Sequence, residues 1–168
     1  MTHEEAERAV RLQVPVIYQG NAYKRISGLI YRQGPKKAER VCRGELESYC
    51  GHSITIAPLH RVDWQDPADR ERQIAQLDPE EEEPNWIESR AKRAFQAGEI
   101  VEYEGQRWAV TAMILRPWIE RPYWTSLELS RVSDRLVQEV WVENIVFPEP
   151  QKKERRKNYE RTGKRKSS

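Results

Sequence analysis

The segment YQGNAY at residues 18–23 returns as YEGQRW at 103–108. This internal echo constrains the fold more than any other feature. Tyr18 aligns with Tyr103, Gly20 with Gly105 and Tyr23 with Trp108, at an offset of 85. The apolar pair Leu29-Ile30 then falls on Ile114-Leu115. After one variable loop the offset becomes 83, where Glu45-Leu46 meets Glu128-Leu129, Ile54 meets Val137, Leu59 meets Val142 and Val62 meets Ile145. A change of two residues confined to one loop marks a duplicated unit, and a period this long points to two domains rather than a solenoid.

Within each copy the apolar runs are short, rich in Val, Ile, Tyr, Trp and Thr, and broken by turn residues, which predicts strands rather than helices. The first copy reads as strands near 15–18, 22–32, 41–49, 52–57 and 61–64, with tight turns at Gly20-Asn21 and Gly51. The second reads as strands near 100–103, 107–116, 124–132, 136–142 and 145–147. Five short strands in about fifty residues enclose too little interior for a two-layer sandwich, but they suit a small, strongly bent barrel whose closure removes exposed edges. A chain of 168 residues, 38% of them apolar, has room for two such units and little else.

Each copy is similar to the SH3-like barrels, the group that includes Tudor and KOW modules. A first strand ends in Tyr-x-Gly-x-x-aromatic, and ITIAPLHRV or VQEVWVENIV leads through a short turn into a last strand. The likeness covers residues 14–64 and 99–147. It implies that Tyr18, Tyr23, Tyr103 and Trp108, near the first loops, line ligand grooves. Strand alternation offers a different role, because it puts Tyr18 on the side of Val16 and favours core packing. The chain also resembles uncharacterised small proteins of prophages and mobile elements of gut Firmicutes, which implies a phage or bacterial setting.

Between the copies the composition changes. Asp66-Pro67 pairs a good N-cap with a proline at the first helical position, and ADRERQIAQL continues as a short helix. DPEEEEPNWIESRAKRAFQAG then places an acidic run at a helix start, Ile87, Ala91, Ala94 and Phe95 on one face, and Gly98 as a stop. At the front, Thr2 and Glu5 form a capping box for a helix to about residue 12. The expected organisation is mainly β with a helical linker: an N-terminal helix at 1–13 and a five-stranded SH3-like barrel at 14–64, then a helical hairpin at 65–98, a second barrel at 99–150 and a disordered basic tail at 151–168.

The net charge of +2 conceals an asymmetry. Residues 151–168 carry nine Lys or Arg against Glu154 and Glu160, which leaves the first 150 residues at −5. Only Tyr159 interrupts the polar composition of that tail, so it cannot bury enough surface to offset chain entropy. Apolar runs are only a few residues long and MTHEEAERAV is charged where a signal peptide is apolar, so a cytoplasmic protein with no membrane association is expected. Cys42 and Cys50 are expected as reduced thiols.

Cys42, Cys50, His52 and His60 offer four ligand types, but Cys-x7-Cys-x-His-x7-His is not a spacing that wraps zinc around tight turns. Buried thiols and surface imidazoles are the expected roles, and no metal or other cofactor is anticipated. Glu45 and Glu47, beside Arg43, read as a solvated ladder rather than an acid/base dyad. No nucleophile elbow, P-loop, dinucleotide fingerprint or zinc-protease motif occurs, so neither catalysis nor a small-molecule substrate is expected.

Binding residues concentrate in the loop after the second strand of each copy. RQGPKKAER offers Arg32, Lys36, Lys37 and Arg40, and RPWIERPYW offers Arg116, Trp118, Arg121, Tyr123 and Trp124. Such residues dominate binding hot spots, and they also stack on bases or pair with phosphate. An equal alternative has Trp118 and Trp124 covering a barrel end or packing near Trp86. In the tail, Lys152, Lys153, Arg155, Arg156 and Lys157 lead a run that can neutralise phosphates. Two functions follow as expectations. One is a nucleic-acid-associated accessory protein of a phage or mobile element, binding DNA or RNA. The other is a protein-protein inhibitor of a host nucleoprotein, of the anti-defence, anti-CRISPR-like kind, using its acidic body.

Overall fold

The computed structural model describes residues 1–34, 40–76, 85–117, 120–121 and 123–149. Helix α1 spans His3–Leu12 and opens with the expected capping box, in which the Glu5 N–H donates to Thr2 Oγ1 and the Thr2 N–H to the Glu5 carboxylate. Strands β1 (Val16–Tyr18), β2 (Asn21–Tyr23), β3 (Arg25–Gln33), β4 (Arg40–Glu47) and β5 (Ile54–Pro58) follow. A 3-10 turn at Leu59–Arg61 then leads into β6 (Val62–Trp64). Helix α2 is Pro67–Gln76 and α3 is Trp86–Ala97. The second set comprises β7 (Ile100–Tyr103), β8 (Gln106–Leu115), β9 (Thr125–Arg131) and β10 (Val137–Trp141), then a 3-10 turn at Val142–Asn144. The fold is mainly β, and no described helix is long and apolar enough to cross a membrane.

The repeat is three-dimensional. Tyr18 pairs with Asn21 and Tyr103 with Gln106, leaving Gln19-Gly20 and Glu104-Gly105 as two-residue hairpin loops. All four loop residues have positive φ, between 50° and 76°, as a type I′ turn demands. The helix before each set of strands repeats as well. Ala6, Ala9 and Val10 are buried on α1, Ala91, Ala94 and Phe95 on α3, and each helix stops at a left-handed residue, Gln13 or Gly98. All these pairs keep the offset of 85, so the repeating unit begins at the helix, ahead of residues 14 and 99. Helix α3 packs on β8 and β9, as the counterpart of α1 on β3.

The register corrects the alignment by one residue. In the β3–β4 pairing a bulge falls at Ser27, between Ile26↔Leu46 and Gly28↔Glu45, and in β8–β9 it falls at Thr111, between Val110↔Leu129 and Ala112↔Glu128. Ser27 Oγ donates to the Glu45 carbonyl and Thr111 Oγ1 to the Glu128 carbonyl, both at 3.1 Å. Ser27 and Thr111 are therefore counterparts, as are Ile30 and Ile114, at an offset of 84. One of the two length changes lies at Lys24, the bend between β2 and β3, where β8 runs straight through. Apolar residues fill consecutive positions here, so side-chain type alone could not distinguish the two registers.

The strands form a three-stranded sheet in the order β2-β1-β6 and a seven-stranded sheet in the order β10-β9-β8-β3-β4-β5, with β7 also on β8. Neither closes on itself, because the bend at Lys24 passes the first unit's chain from one sheet to the other. A single pair, Glu102↔Val146, is the second unit's counterpart of Ile17↔Asp63 in β1–β6. The units join edge to edge: β3 pairs antiparallel with β8 through Leu29↔Leu115, Ile30↔Ile114, Tyr31↔Met113 and Arg32↔Ala112. Ile30 thus faces its own counterpart, and a pseudo-two-fold axis passes between the two isoleucines, as in an isologous dimer interface. Pairing covers two edges that would otherwise be exposed. One contiguous core runs from Ala6 and Val10 through Leu29, Leu46 and Phe95 to Leu127 and Val142.

Candidate functional site

The pseudo-two-fold axis organises the chemistry of the open sheet face. Arg32, on β3, reaches across the junction and makes two bonds to the Glu128 carboxylate, at 2.8 and 2.6 Å. Its counterpart Arg116, just past β8, makes two to Glu45, at 3.1 and 2.9 Å. Glu45 and Glu128 are themselves counterparts, so this is one ion pair made twice, each arginine holding the other unit's carboxylate. Arg116 also binds Glu139, which in turn accepts from Ser126 Oγ. Burial works against the Arg116 charge, but its bonds to Glu139 and Glu45 outweigh it and raise its basicity. Gly28 permits this packing, because a Cβ there would collide with the Glu45 carboxylate and crowd Arg116 Cγ.

The other described loop residues have partners as well. Arg121 bonds Glu143 at 3.3 Å and lies 4.4 Å from the centre of the Trp141 ring. Tyr123 packs against the core. Trp124 is half-buried; its backbone N–H donates to the Glu88 carboxylate of α3 and Arg11 of α1 stacks 5.4 Å from its ring centre. Trp124 is thus tied to α1 through its ring and to α3 through its backbone, while Trp86 is exposed. Lys36, Lys37, Trp118, the Arg40 side chain and the tail residues Lys152, Lys153, Arg155, Arg156 and Lys157 lie outside the described residues. The acidic run 80–83 does too. Helix α3 is capped instead by Asn85, whose side chain accepts from the Ile87 N–H.

The first-turn aromatics are largely core. Trp108 is buried, with its indole N–H donating to the Tyr103 carbonyl, and Tyr18, Tyr23 and Tyr103 pack partly buried against the same cluster. Among the described residues no three His, Cys, Asp or Glu side chains gather as a metal site. Cys42 is buried, but Cys50 is exposed, in the turn beyond β4 rather than on the strand. Hydrogen bonds from Ser48 and the His52 backbone hold the Cys50 thiol below its ordinary range.

A feature missed by motif reading lies between α1 and α3. A cleft of about 170 Å³ is lined by His3, Glu7, Tyr31, Met113, Lys92 and Gln96. The Tyr31 hydroxyl donates to Glu7 at 2.9 Å, and burial, then the Glu7 charge, pushes its ionisation well up. Burial likewise pushes the neighbouring Cys42 thiol up to about 12, with the Tyr31 hydrogen bond opposing and the Glu7 charge assisting. Burial thus favours the protonated form of both groups at physiological pH, with the Tyr31 hydroxyl as the donor to Glu7. The signal was the matching AERAV and AKRAF, which place Glu7 and Lys92 at equivalent helix positions.

No protein-family model, no curated protein and no solved structure matches this chain.

Proposed function

We propose that the chain is a non-enzymatic binding protein, built from two SH3-like units fused across their β3 and β8 edges, whose folded body engages protein. The supporting observation is the fate of the loop arginines. Arg32, Arg116 and Arg121 each hold a carboxylate, and the first 150 residues sum to −5, which disfavours a phosphate backbone on that surface. An SH3-like reading of the first unit is supported by the meander β1 to β5, the 3-10 turn and the return of β6 onto β1, and in the second the return is the single pair Glu102↔Val146. Tyr31 and Cys42, the most perturbed ionisable groups, are kept protonated, which fits binding better than catalysis. With the likeness to mobile-element proteins, a host nucleoprotein is the partner class to test.

A second reading keeps nucleic acid as the partner, through the nine Lys or Arg of residues 151–168. One experiment separates the two. The full chain and a chain ending at residue 150 are used to capture host proteins from lysate with and without nuclease. Partners retained by both chains after nuclease support the protein-binding body. Partners lost on nuclease treatment, together with gel-shift retardation that vanishes without the tail, support the second.

A further inference from the structure

The turn between β9 and β10 is built more rigidly than a connection requires. Arg131 clamps Asp134 through two bonds, at 2.8 and 2.5 Å, bonds Gln106 Oε1 at 2.9 Å and lies over the Trp108 ring. Asp134 Oδ1 also accepts from the Leu136 N–H, and the Val132 N–H donates to the Arg107 carbonyl. What this frame displays is apolar and cationic: Val132, Leu136 and Val137 are 50%, 49% and 57% exposed.

Arg107 and Arg135 flank the turn and hold no ion pair among the described residues. Arg131 is held by Asp134, and Arg107 has Glu102 opposite it in the β7–β8 register. Arg135 also sits at φ 63°, a left-handed conformation that favours glycine. The first unit's turn places its left-handed residue differently, at Gly51.

Beside the tip runs a shallow groove of about 580 Å³, lined by Gln106, Arg107, Arg131, Val132, Ser133 and Asp134. The tip continues into β10, the last strand of its sheet. We infer that the β9–β10 tip and the outer edge of β10 bind an extended acidic segment of a partner protein that alternates carboxylate and aliphatic residues. Carboxylates pair with Arg107 and Arg135, aliphatics cover Val132, Leu136 and Val137, and backbone bonds to β10 add a strand. The three aliphatic side chains favour such a segment over nucleic acid. The inference rests on the protein-binding reading and names its surface.

The test is a titration of the full chain, followed by amide NMR, with an octapeptide alternating glutamate and valine. Single-stranded DNA, and vesicles of phosphatidylserine with phosphatidylcholine, are titrated in parallel. Saturable shifts confined to Arg107 and Val132–Gln138 with the peptide are expected, with affinity lowered roughly tenfold or more by R107E combined with R135E. Arg135→Gly is expected to weaken binding while raising the melting temperature, which separates lost recognition from lost folding. Absence of peptide shifts at the tip overturns the proposal, as does a response there to DNA or vesicles instead. Capture from nuclease-treated lysate separates the two levels: equal retention by wild type and the R107E/R135E variant sinks this surface alone, whereas no retained protein sinks the protein-binding reading itself.

Discussion

The two units share a backbone plan but use it differently at equivalent places. At the junction, Arg32 has one carboxylate partner and is 49% exposed, whereas Arg116 has two and is 17% exposed. The cause is a single position: the second unit has Glu139 where the first has Ile56, so only Arg116 gains a partner from its own unit. Beneath the helices the first unit places Tyr31 and Cys42, and the second Leu115 and Thr125. At the outer tips one unit displays Tyr49 and Ile54, the other an arginine-clamped turn. Hydrogen-bond register has been kept while side chains diverged, which is how one scaffold comes to carry two different surfaces.

The largest test of this comparison sits in the repeated motif itself. Trp108→Ala is expected to cost about 3–5 kcal/mol, because the indole is 2% exposed and its N–H is satisfied inside. Tyr23→Ala, at the equivalent but half-buried position, should cost only about 1–2 kcal/mol. Urea denaturation of both variants checks the asymmetry, and equal losses would show that the units contribute alike to the core.

Next in size is the junction. Arg116→Ala strands two carboxylates on a partly desolvated face and is expected to cost about 2–3 kcal/mol. Arg32→Ala breaks an exposed pair and should cost at most about 1 kcal/mol. A double-mutant cycle with Glu45→Ala and Glu128→Ala measures each coupling, and a coupling at Arg32 as large as that at Arg116 would contradict the role assigned to Glu139.

The smallest effect is a titration. Hydrogen bonds from Arg131 and the Leu136 N–H hold the Asp134 carboxyl down to about 2. Its folded value lies below its unfolded one, so its stabilising contribution is complete above about pH 4 and is lost as pH falls toward 2. Carbon-detected NMR of the Asp134 carboxyl in wild type and in Arg131→Ala checks this. A midpoint near the ordinary aspartate value in wild type would mean that the tip is not the rigid frame described.

Much of the fold was legible because it is local. A Gly in a two-residue loop, a Thr-x-x-Glu cap and period-two alternation each act over a few residues, and most strand ends fall within one or two positions of those expected, but the strand expected at 22–32 breaks at Lys24 and the one expected at 145–147 is only the isolated pair Glu102↔Val146. The junction was not legible, since Arg32 and Arg116 look alike whether they face solvent or a carboxylate 96 or 71 positions away. Availability of Arg32 and Arg116 was inferred from residue type, and pairing across the axis is what gives both a carboxylate partner.

By itself, the sequence determined that one β unit is written twice, where its two-residue hairpins turn, and how α1 is capped; that each unit also includes the helix before it emerged from the structure. Tertiary structure alone decided the one-residue slip at Lys24, the edge-to-edge joining of β3 and β8, and which arginines remain available. The division has a physical reason. Turns and caps are set by short-range backbone geometry, whereas an edge strand offers the same N–H and C=O groups to any partner. Only the folded context, with its bulges at Ser27 and Thr111 and its paired charges, selects the one it meets.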